Sequence, residues 1–344
     1  MAGRFEIVRN FPSGATEAAW RDFLRRADLP SHYNAPEYFL EPYWDRKQCF
    51  AVLSYQGDAV TGVLTAIHEE GRITSGLPLR PQICLDPSAN PVTTVDALAR
   101  GLLAEAGRAE IVTLYAWSWT PLDALVNHGY RRRVTEGAVV LDLRLGPDEL
   151  FKCFDEGRRR NIRQAMKKGV EVSPASTPED FRAYYEVFKA WRLTPRKVIE
   201  ADVPFEAFER AARLTGNHRY FLARHLGRVI AGISLRFLQG GLLEYAGNSS
   251  LDEFLHLKPN DLLHWRAIEW AHQEGFPRYS LSAAHPFLRR FGGEVVPIHR
   301  YRLDRTRLRR HDRRETAADF ARQCFHKLPA SLQRRLRKSL GRNQ

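Results

Sequence analysis

The sequence predicts an α/β (α+β) protein built from two copies of one unit, with mixed sheets flanked by helices. Helical and strand patterns alternate along the 344 residues, and the order of elements in the first half returns in the second. Gly57 and Gly62 of the first predicted hairpin recur at one constant offset as Gly227 and Gly232. Two tandem units therefore explain the pattern better than one large domain.

In the first half, apolar alternation around Gly57-Asp58 predicts a hairpin, and apolar residues at helical spacing predict a helix with Thr93 or Thr94 as its N-cap. In chain order the predicted elements are helices at 17–26 and 35–43, the hairpin strands 50–54 and 59–67, the helix 93–106, the strand 110–117, a short helix at 122–128 and the strand 137–143.

The second half runs through the same order, and Thr177 followed by Pro178 is a typical helix start. Its predicted elements are 171–174, 177–191, 204–214, 220–225, 229–237, 242–247, 260–274, 278–282, 286–291 and 296–303. We expect an N-terminal domain over 1–147, a C-terminal domain over 148–304, and a basic tail over 305–344. The basic segment 151–169 joins the two units.

Composition excludes several classes of protein. With 44% hydrophobic residues the chain can bury a large core, and it has no run of 18 apolar residues that would predict a membrane span. The N-terminus lacks the apolar run of a signal peptide. The four cysteines have no CxxC spacing and the histidines form no HExxH, so we expect a cytoplasmic protein without disulfides or a metal. Walker, GxGxxG and GxSxG motifs are absent.

The net charge of +13 is concentrated at the C-terminus, where residues 300–344 hold 15 Lys and Arg against 4 Asp and Glu. Leu328, Leu332 and Leu336 recur at four-residue intervals among basic residues. This pattern is typical of a short amphipathic helix that binds an anionic membrane or an RNA backbone, and a disordered tail is the alternative. The protein is therefore expected at the inner face of the plasma membrane if the helix forms.

A possible anion site opens the predicted helix at 260–274. Lys258 precedes Pro259, Asn260 and Asp261, and a helix start offers free backbone N–H groups and a positive dipole to a phosphate. An ordinary core helix with a solvated lysine is the other interpretation.

The strand LLEYAGNSS at 242–250 carries candidate catalytic groups. Glu244 and Tyr245 point to opposite faces, so one can line a cleft while the other packs. A carboxylate can act as a general base and a tyrosine hydroxyl as a general acid, so Glu244 fits the first role and Tyr245 or Tyr279 the second. Backbone N–H groups near Asn248 and Ser249 can hold an oxygen on which negative charge develops. Alternatively, Glu244 is a surface residue and Tyr245 a core residue.

The segment GRRRNIRQAMKKG at 157–169 places Arg159, Arg163 and Lys167 on one helical face. Such a face can bind a phosphate or an acidic acceptor, although a solvated face has the same pattern.

These segments, followed by FLRRFGGE at 287–294, occur in the order typical of the FemAB-like branch of the GNAT acyltransferases, which residues 151–303 resemble well and residues 5–145 more weakly. The resemblance implies two tandem GNAT folds, with the donor in the C-terminal one. Members transfer an acyl or aminoacyl group from a thioester or a tRNA ester to an amine. Carried over to this chain, the donor phosphates would meet Lys258, Asn260 and Asp261, beside Asn248 and Ser249; the acceptor would face Arg159 and Arg163; and Arg289 and Arg290 would close the cleft.

The chain departs from this pattern at Ser280, where peptidoglycan-bridge members have an acidic residue, and it lacks their long helical arm. We therefore expect acyl-CoA or an acyl carrier as co-substrate, no permanently bound cofactor, and an amine acceptor on a sugar, cell-envelope or exopolysaccharide precursor. The alternatives are a tRNA-dependent aminoacyltransferase and a non-catalytic protein that binds membrane or nucleic acid through its tail.

Overall fold

The computed structural model describes residues 3–41, 47–135, 137–193, 204–213, 216–328 and 332. The strands in chain order are β1 (Arg4–Val8), β2 (Gln48–Gln56), β3 (Ala59–Glu69), β4 (Arg72–Ser75), β5 (Ile83–Leu85), β6 (Ile111–Trp117), β7 (Arg131–Val134), β8 (Ala138–Asp142), β9 (Val170–Pro174), β10 (His218–His225), β11 (Arg228–Phe237), β12 (Leu242–Ser250), β13 (Arg278–Ser280), β14 (Glu294–Val296) and β15 (Ile298–Asp304). They form two mixed sheets flanked by helices, which confirms the predicted fold class.

The α-helices are α1 (Gly14–Arg26), α2 (Pro91–Ala106), α3 (Pro147–Cys153), α4 (Glu156–Lys167), α5 (Pro178–Arg192), α6 (Phe205–Arg213), α7 (Pro259–Gln273), α8 (Pro286–Arg289) and α9 (Arg310–Lys327). The helix expected at 35–43 is instead a pair of 3-10 helices, His32–Asn34 and Pro36–Leu40. The helix expected at 122–128 is also a 3-10 helix, Asp123–His128. No helix in the described ranges is long and apolar enough to cross a membrane.

The first sheet has the order β1-β2-β3-β4-β6-β15-β7, with β5 paired to β3. Helix α2 packs across β1, β2 and β3, and α1 contacts β3. The predicted N-cap of α2 was wrong: Asn90 caps it, since its side chain accepts hydrogen bonds from the N–H groups of Val92 and Thr93. The helix begins earlier than expected because Pro91 suits its first position.

The second sheet has the order β14-β8-β13-β12-β11-β10-β9. Helix α7 packs on β9, β10, β11 and β12, while α5 and α6 contact β10, β11 and β12. The predicted start of α5 is confirmed: Thr177 accepts a hydrogen bond from the backbone N–H of Asp180, and the Asp180 carboxylate accepts one from the N–H of Thr177.

The two halves exchange a strand. Strand β8, expected to end the first unit, pairs with β13 and β14 in the second sheet, and β15, expected to end the second unit, pairs with β6 and β7 in the first. Only Pro297 separates β14 from β15, so the chain crosses between sheets within one residue. The sheets share an apolar cluster made of Trp117, Ala138, Val140, Leu242, Val296 and Ile298. A division at 147/148 therefore does not follow sheet membership.

The start of the expected tail is a helix bound to the first sheet. On α9, Asp312 accepts a hydrogen bond from Arg302 at 2.7 Å, and Glu315 lies 2.6 Å from Arg300. These acidic residues neutralise arginines of β15, so this stretch is part of the folded body. The predicted amphipathic segment after residue 327 lies outside the described residues, apart from Leu328 and Leu332.

Candidate active site

Strand β12 passes through the centre of the candidate site. It pairs in parallel with β13 only from Leu242 to Glu244, so its remaining length runs beyond the end of β13. On its other side it pairs with β11, where the register shifts at Ala246 and produces a bulge. The result is a gap at one edge of β12 and a kinked backbone beside it.

The carboxyl of Glu244 is 1% exposed, and neither of its oxygens has a hydrogen-bond partner in the described part of the chain. Burial raises its pKa to about 7, although Arg80 and Arg236 act in the opposite direction. Glu244 thus holds a proton over much of the acidic range. Glu244 does not line the cavity that lies between the two halves of the chain.

Tyr245 points to the opposite face of β12, as predicted from strand alternation. Its ring centroid lies 4.9 Å from that of His264 on α7, and its hydroxyl donates to Asn248. Burial raises its pKa, so the hydroxyl stays protonated at neutral pH. Tyr279 is fully buried and its hydroxyl lies 3.4 Å from Nδ1 of His264, so the structure does not support it as the acid.

A cluster of polar side chains joins the two halves beside Glu244. Glu41 Oε1 lies 2.9 Å from Nε2 of His32 and 3.3 Å from Nε2 of His218, and Glu41 Oε2 lies 3.6 Å from Arg236. Burial raises the pKa of Glu41, but hydrogen bonds from the two histidines and the charge of Arg236 outweigh it and hold the carboxyl ionised. Sequence reasoning missed this cluster because its members are far apart in the chain.

Next to this cluster is a cavity of about 470 Å³ between the two halves. One wall is aromatic, and the other carries basic groups and the bulged part of β12. The lining residues are Tyr33, Leu77, Arg80, Tyr184, Phe188, Trp191, Phe208, His218, Tyr220, Ser234, Arg236, Ala246, Gly247, Asn248 and Ser249. Arg80 comes from the first half and donates to the carbonyl of Ala246 at 2.6 Å, which fixes it against the bulge. Asn248 and Ser249, predicted at the donor site, thus lie at this cavity.

Three atoms that could act as metal ligands, one each from His32, Glu41 and His218, lie within 4.8 Å of one another. Imidazole and carboxylate groups are ligands that zinc accepts. Here, however, Arg236 already supplies a positive charge to the Glu41 carboxylate, and both imidazoles form a hydrogen bond with that carboxylate. We therefore interpret the cluster as a hydrogen-bond network.

The start of α7 differs from the expected open anion site. Lys258 is its half-buried N-cap, in a left-handed conformation, and Asn260 donates to Ser250 at 3.3 Å. The Asp261 carboxylate is buried in an ion pair with Arg158, whose Nη2 also donates to the carbonyl of Phe287. Asp261 is therefore unable to offer its side chain to a phosphate. Lys258 and the backbone N–H groups are what this end retains for an anion.

The arginines expected to bind the acceptor lie elsewhere. Arg159 donates to the carbonyl of Lys152, and Arg163 lies over the ring of Phe151; both contacts are with α3. Arg290 pairs with Asp155 at 2.7 Å. Each of these guanidinium groups contacts its own chain, and none of them lines the cavity between the halves. Arg289, which donates to the carbonyl of Ala284, is likewise held by its own loop.

Residues 156–289 match a family model described as an acetyltransferase (GNAT) domain. The crystal structure of FemX superposes with a TM-score of 0.67 at 12% identity, covering 86% of this chain and 96% of that one. L-PGS from Bacillus licheniformis gives 0.58 at 11% identity, with 87% and 93% covered. A tandem GNAT protein from the clavulanic acid biosynthesis pathway gives 0.55 at 14%, with 88% and 99% covered. A search of curated proteins finds no match. These likenesses show a tandem GNAT fold.

Proposed function

We propose that this enzyme moves an acyl group from acyl-CoA, or a related thioester, to an amine, a proposal supported by the match of residues 156–289 to an acetyltransferase (GNAT) domain model. The donor thioester lies along the gap between β12 and β13, and the amine enters the cavity between the two halves. The amine attacks the thioester carbonyl directly while both substrates are bound.

The parting of β12 and β13 after three residue pairs is the observation that carries this proposal. Where β12 runs on alone, alternate backbone N–H groups point away from β11, since antiparallel pairing uses only every second residue. Those groups are available to an extended donor and to the oxygen on which charge develops. Lys258, at the start of α7, supplies positive charge for the donor phosphates.

The cavity favours an acceptor that combines a ring with an anionic group. Its aromatic wall, which includes Tyr184, Phe188 and Trp191, offers flat apolar surface, and Arg80 and Arg236 offer positive charge opposite it. Amino sugars that carry a phosphate or a carboxylate have this chemistry. We therefore infer an amine of a sugar or cell-envelope precursor as acceptor, which would place the reaction in the cytoplasm, near the membrane.

Donor binding tests the proposal directly. Calorimetric titration of the full chain with CoA, acetyl-CoA, a long-chain acyl-CoA and ATP is expected to show binding of the CoA species and much weaker binding of ATP. Lys258→Gln should weaken CoA binding about tenfold, because a charge-assisted hydrogen bond contributes about 1.5–3 kcal/mol. The matched control is Lys167→Gln, at an exposed position of α4, which should leave the affinity unchanged. Equal binding of ATP and CoA, or no binding of CoA, contradicts the proposal.

The alternative hypotheses carry less support. FemX and L-PGS are similar in fold alone, and the described part of the tail is packed against β15. An aminoacyl-tRNA donor would become the preferred hypothesis if charged tRNA, and no CoA thioester, donated its acyl group.

A further inference from the structure

Glu41 reaches from the first half of the chain to His218 on β10 of the second half. The carboxylate is 4% exposed and the His218 side chain 3% exposed, so the contact is shielded from water. His218 also belongs to the lining of the cavity in which we place the amine. A buried carboxylate thus lies behind a histidine that faces a ligand cavity.

The chemistry of the contact fixes the proton on the imidazole. An ionised carboxylate only accepts hydrogen bonds, so Nε2 of His218 must carry the hydrogen that it donates to Glu41. Nδ1 of a neutral ring is then unprotonated. Because Nε2 is engaged with Glu41, Nδ1 is the nitrogen left for a bound ligand.

His32 makes the same hydrogen bond but serves a different position. Its Nε2 lies 2.9 Å from Glu41, and its Nδ1 lies 4.0 Å from Glu244 Oε2. His32 is 2% exposed and faces this buried acid. His218 is therefore the member of the network that can meet a substrate.

We propose that His218, oriented by Glu41 of the other half, is the general base that deprotonates the acceptor amine. This inference rests on the proposed acyl transfer. It transfers to His218 the role that the sequence suggested for Glu244, and it makes the active site depend on both halves, which explains why the first half packs its 3-10 segments against β10 and β11.

The transfer moves two protons and replaces a carbon–sulfur bond by a carbon–nitrogen bond. Nδ1 of His218 takes one proton from the ammonium group, and the neutral amine nitrogen forms a bond to the thioester carbonyl carbon. The carbon–sulfur bond then breaks, and the second nitrogen proton goes to the thiolate, with Tyr245 as the candidate group to pass it. The products are an amide and a free thiol, and His218 releases its proton to solvent.

The residues around His218 favour the unprotonated imidazole, which is the form that a general base needs. Burial lowers its pKa below the usual value, the hydrogen bond and charge of Glu41 raise it, and the charge of Arg236 lowers it. Arg80 and Tyr33 share the cavity wall, and the His32 ring lies 5.6 Å away. Because the net shift is downward, the free base is the main form at neutral pH.

Nitrogen NMR of the full chain with labelled histidine tests the dyad without any substrate. His218→Asn identifies the His218 signals by their loss. The expected result is a protonated Nε2 and an unprotonated Nδ1, titrating below the usual histidine pKa. Glu41→Gln should lower this pKa further, because the favourable charge is removed. Glu37→Gln is the matched control: Glu37 lies on the 3-10 helix that Glu41 caps but pairs with Arg21, and the change should leave the His218 titration unaltered. A proton on Nδ1, or a titration insensitive to Glu41→Gln, overturns the proposal.

Kinetics with acetyl-CoA and a panel of amino sugars supplies a second readout. His218→Gln should reduce kcat by about 100-fold or more, typical of losing general base catalysis, with donor affinity unchanged. The acidic limb of the pH–rate profile should disappear with it. If the dyad is seen by NMR but no thioester donates, the proposed function fails while the dyad stands. If transfer occurs and His218→Gln keeps the normal limb, the base assignment fails alone.

Discussion

Replacing Glu244 by glutamine isolates the effect of a buried carboxyl on stability. The side chain is 1% exposed, its oxygens lack partners among the described residues, and burial raises its pKa from 4.5 to about 7. Glutamine has nearly the same shape as the protonated acid and carries no charge at any pH. The variant and the parent protein should therefore have similar free energies of unfolding in acid, and the variant should be the more stable protein at neutral pH and above.

The magnitude follows from proton linkage. Between pH 4.5 and 7 the folded protein holds a proton that the unfolded chain has released, so the free energy of unfolding falls as pH rises through this interval. A shift of this size corresponds to about 3 kcal/mol, and no further loss occurs above pH 7. Glu244→Gln should thus become more stable than the parent by about 3 kcal/mol between pH 4.5 and 8.

Urea unfolding at half-unit steps from pH 4.5 to 8.5 gives this difference directly, since all other titrating groups cancel between the two proteins. Glu253→Gln, at an exposed position paired with Arg228, is the matched control, and it should change the free energy of unfolding far less than Glu244→Gln does, because water screens an exposed ion pair. A flat difference for Glu244→Gln would refute the assignment of a buried, protonated carboxyl at this position.

Two further changes test the packing around the site. Arg158→Met should destabilise the fold by about 3–5 kcal/mol, because it leaves the Asp261 carboxylate buried without its charged partner. Arg144→Gln, which breaks the exposed pair with Asp142, should leave the urea midpoint nearly unchanged, because water screens exposed ion pairs. Gly241→Ala should lower the melting temperature in calorimetry, since its new methyl would lie 2.0 Å from the carbonyl oxygen of Pro30 at the contact between the halves.

The individual helices and strands could be predicted from the sequence because each depends mainly on residues that are close together in the chain. The turn glycines Gly57 and Gly227 both have positive φ, and alternation along β12 correctly separated the faces of Glu244 and Tyr245. These short-range patterns did not predict that β8 and β15 are exchanged between the two sheets. Strand β8 is short and apolar and β15 alternates apolar with charged residues, but hydrophobic periodicity does not encode which sheet a strand joins.

The site was harder to predict for the same reason. Glu41 and His218 are 177 positions apart, and no motif connects them. A signal was present in the segment after Pro30, where Ser31, His32 and Asn34 are polar residues beside prolines and aromatics, and all three prove to be buried. The arginines of α4 misled because a sequence does not show that this helix packs against α7 and contributes no residue to the lining of the cavity.

In the proposed reaction, the cavity between the halves holds the amine while the C-terminal half holds the thioester. Two-substrate kinetics with acetyl-CoA and the best amino sugar from the panel tests it in Leu77→Trp, because Leu77 lines the cavity and is 43% exposed, so the larger ring can enter without disturbing the core. Val126→Trp, at another exposed position, is the control. We expect the KM for the amine to rise about tenfold, a loss of about 1.4 kcal/mol, with the KM for acetyl-CoA unchanged. An unchanged KM for the amine, or a rise confined to the KM for acetyl-CoA, would contradict this placement of the two substrates.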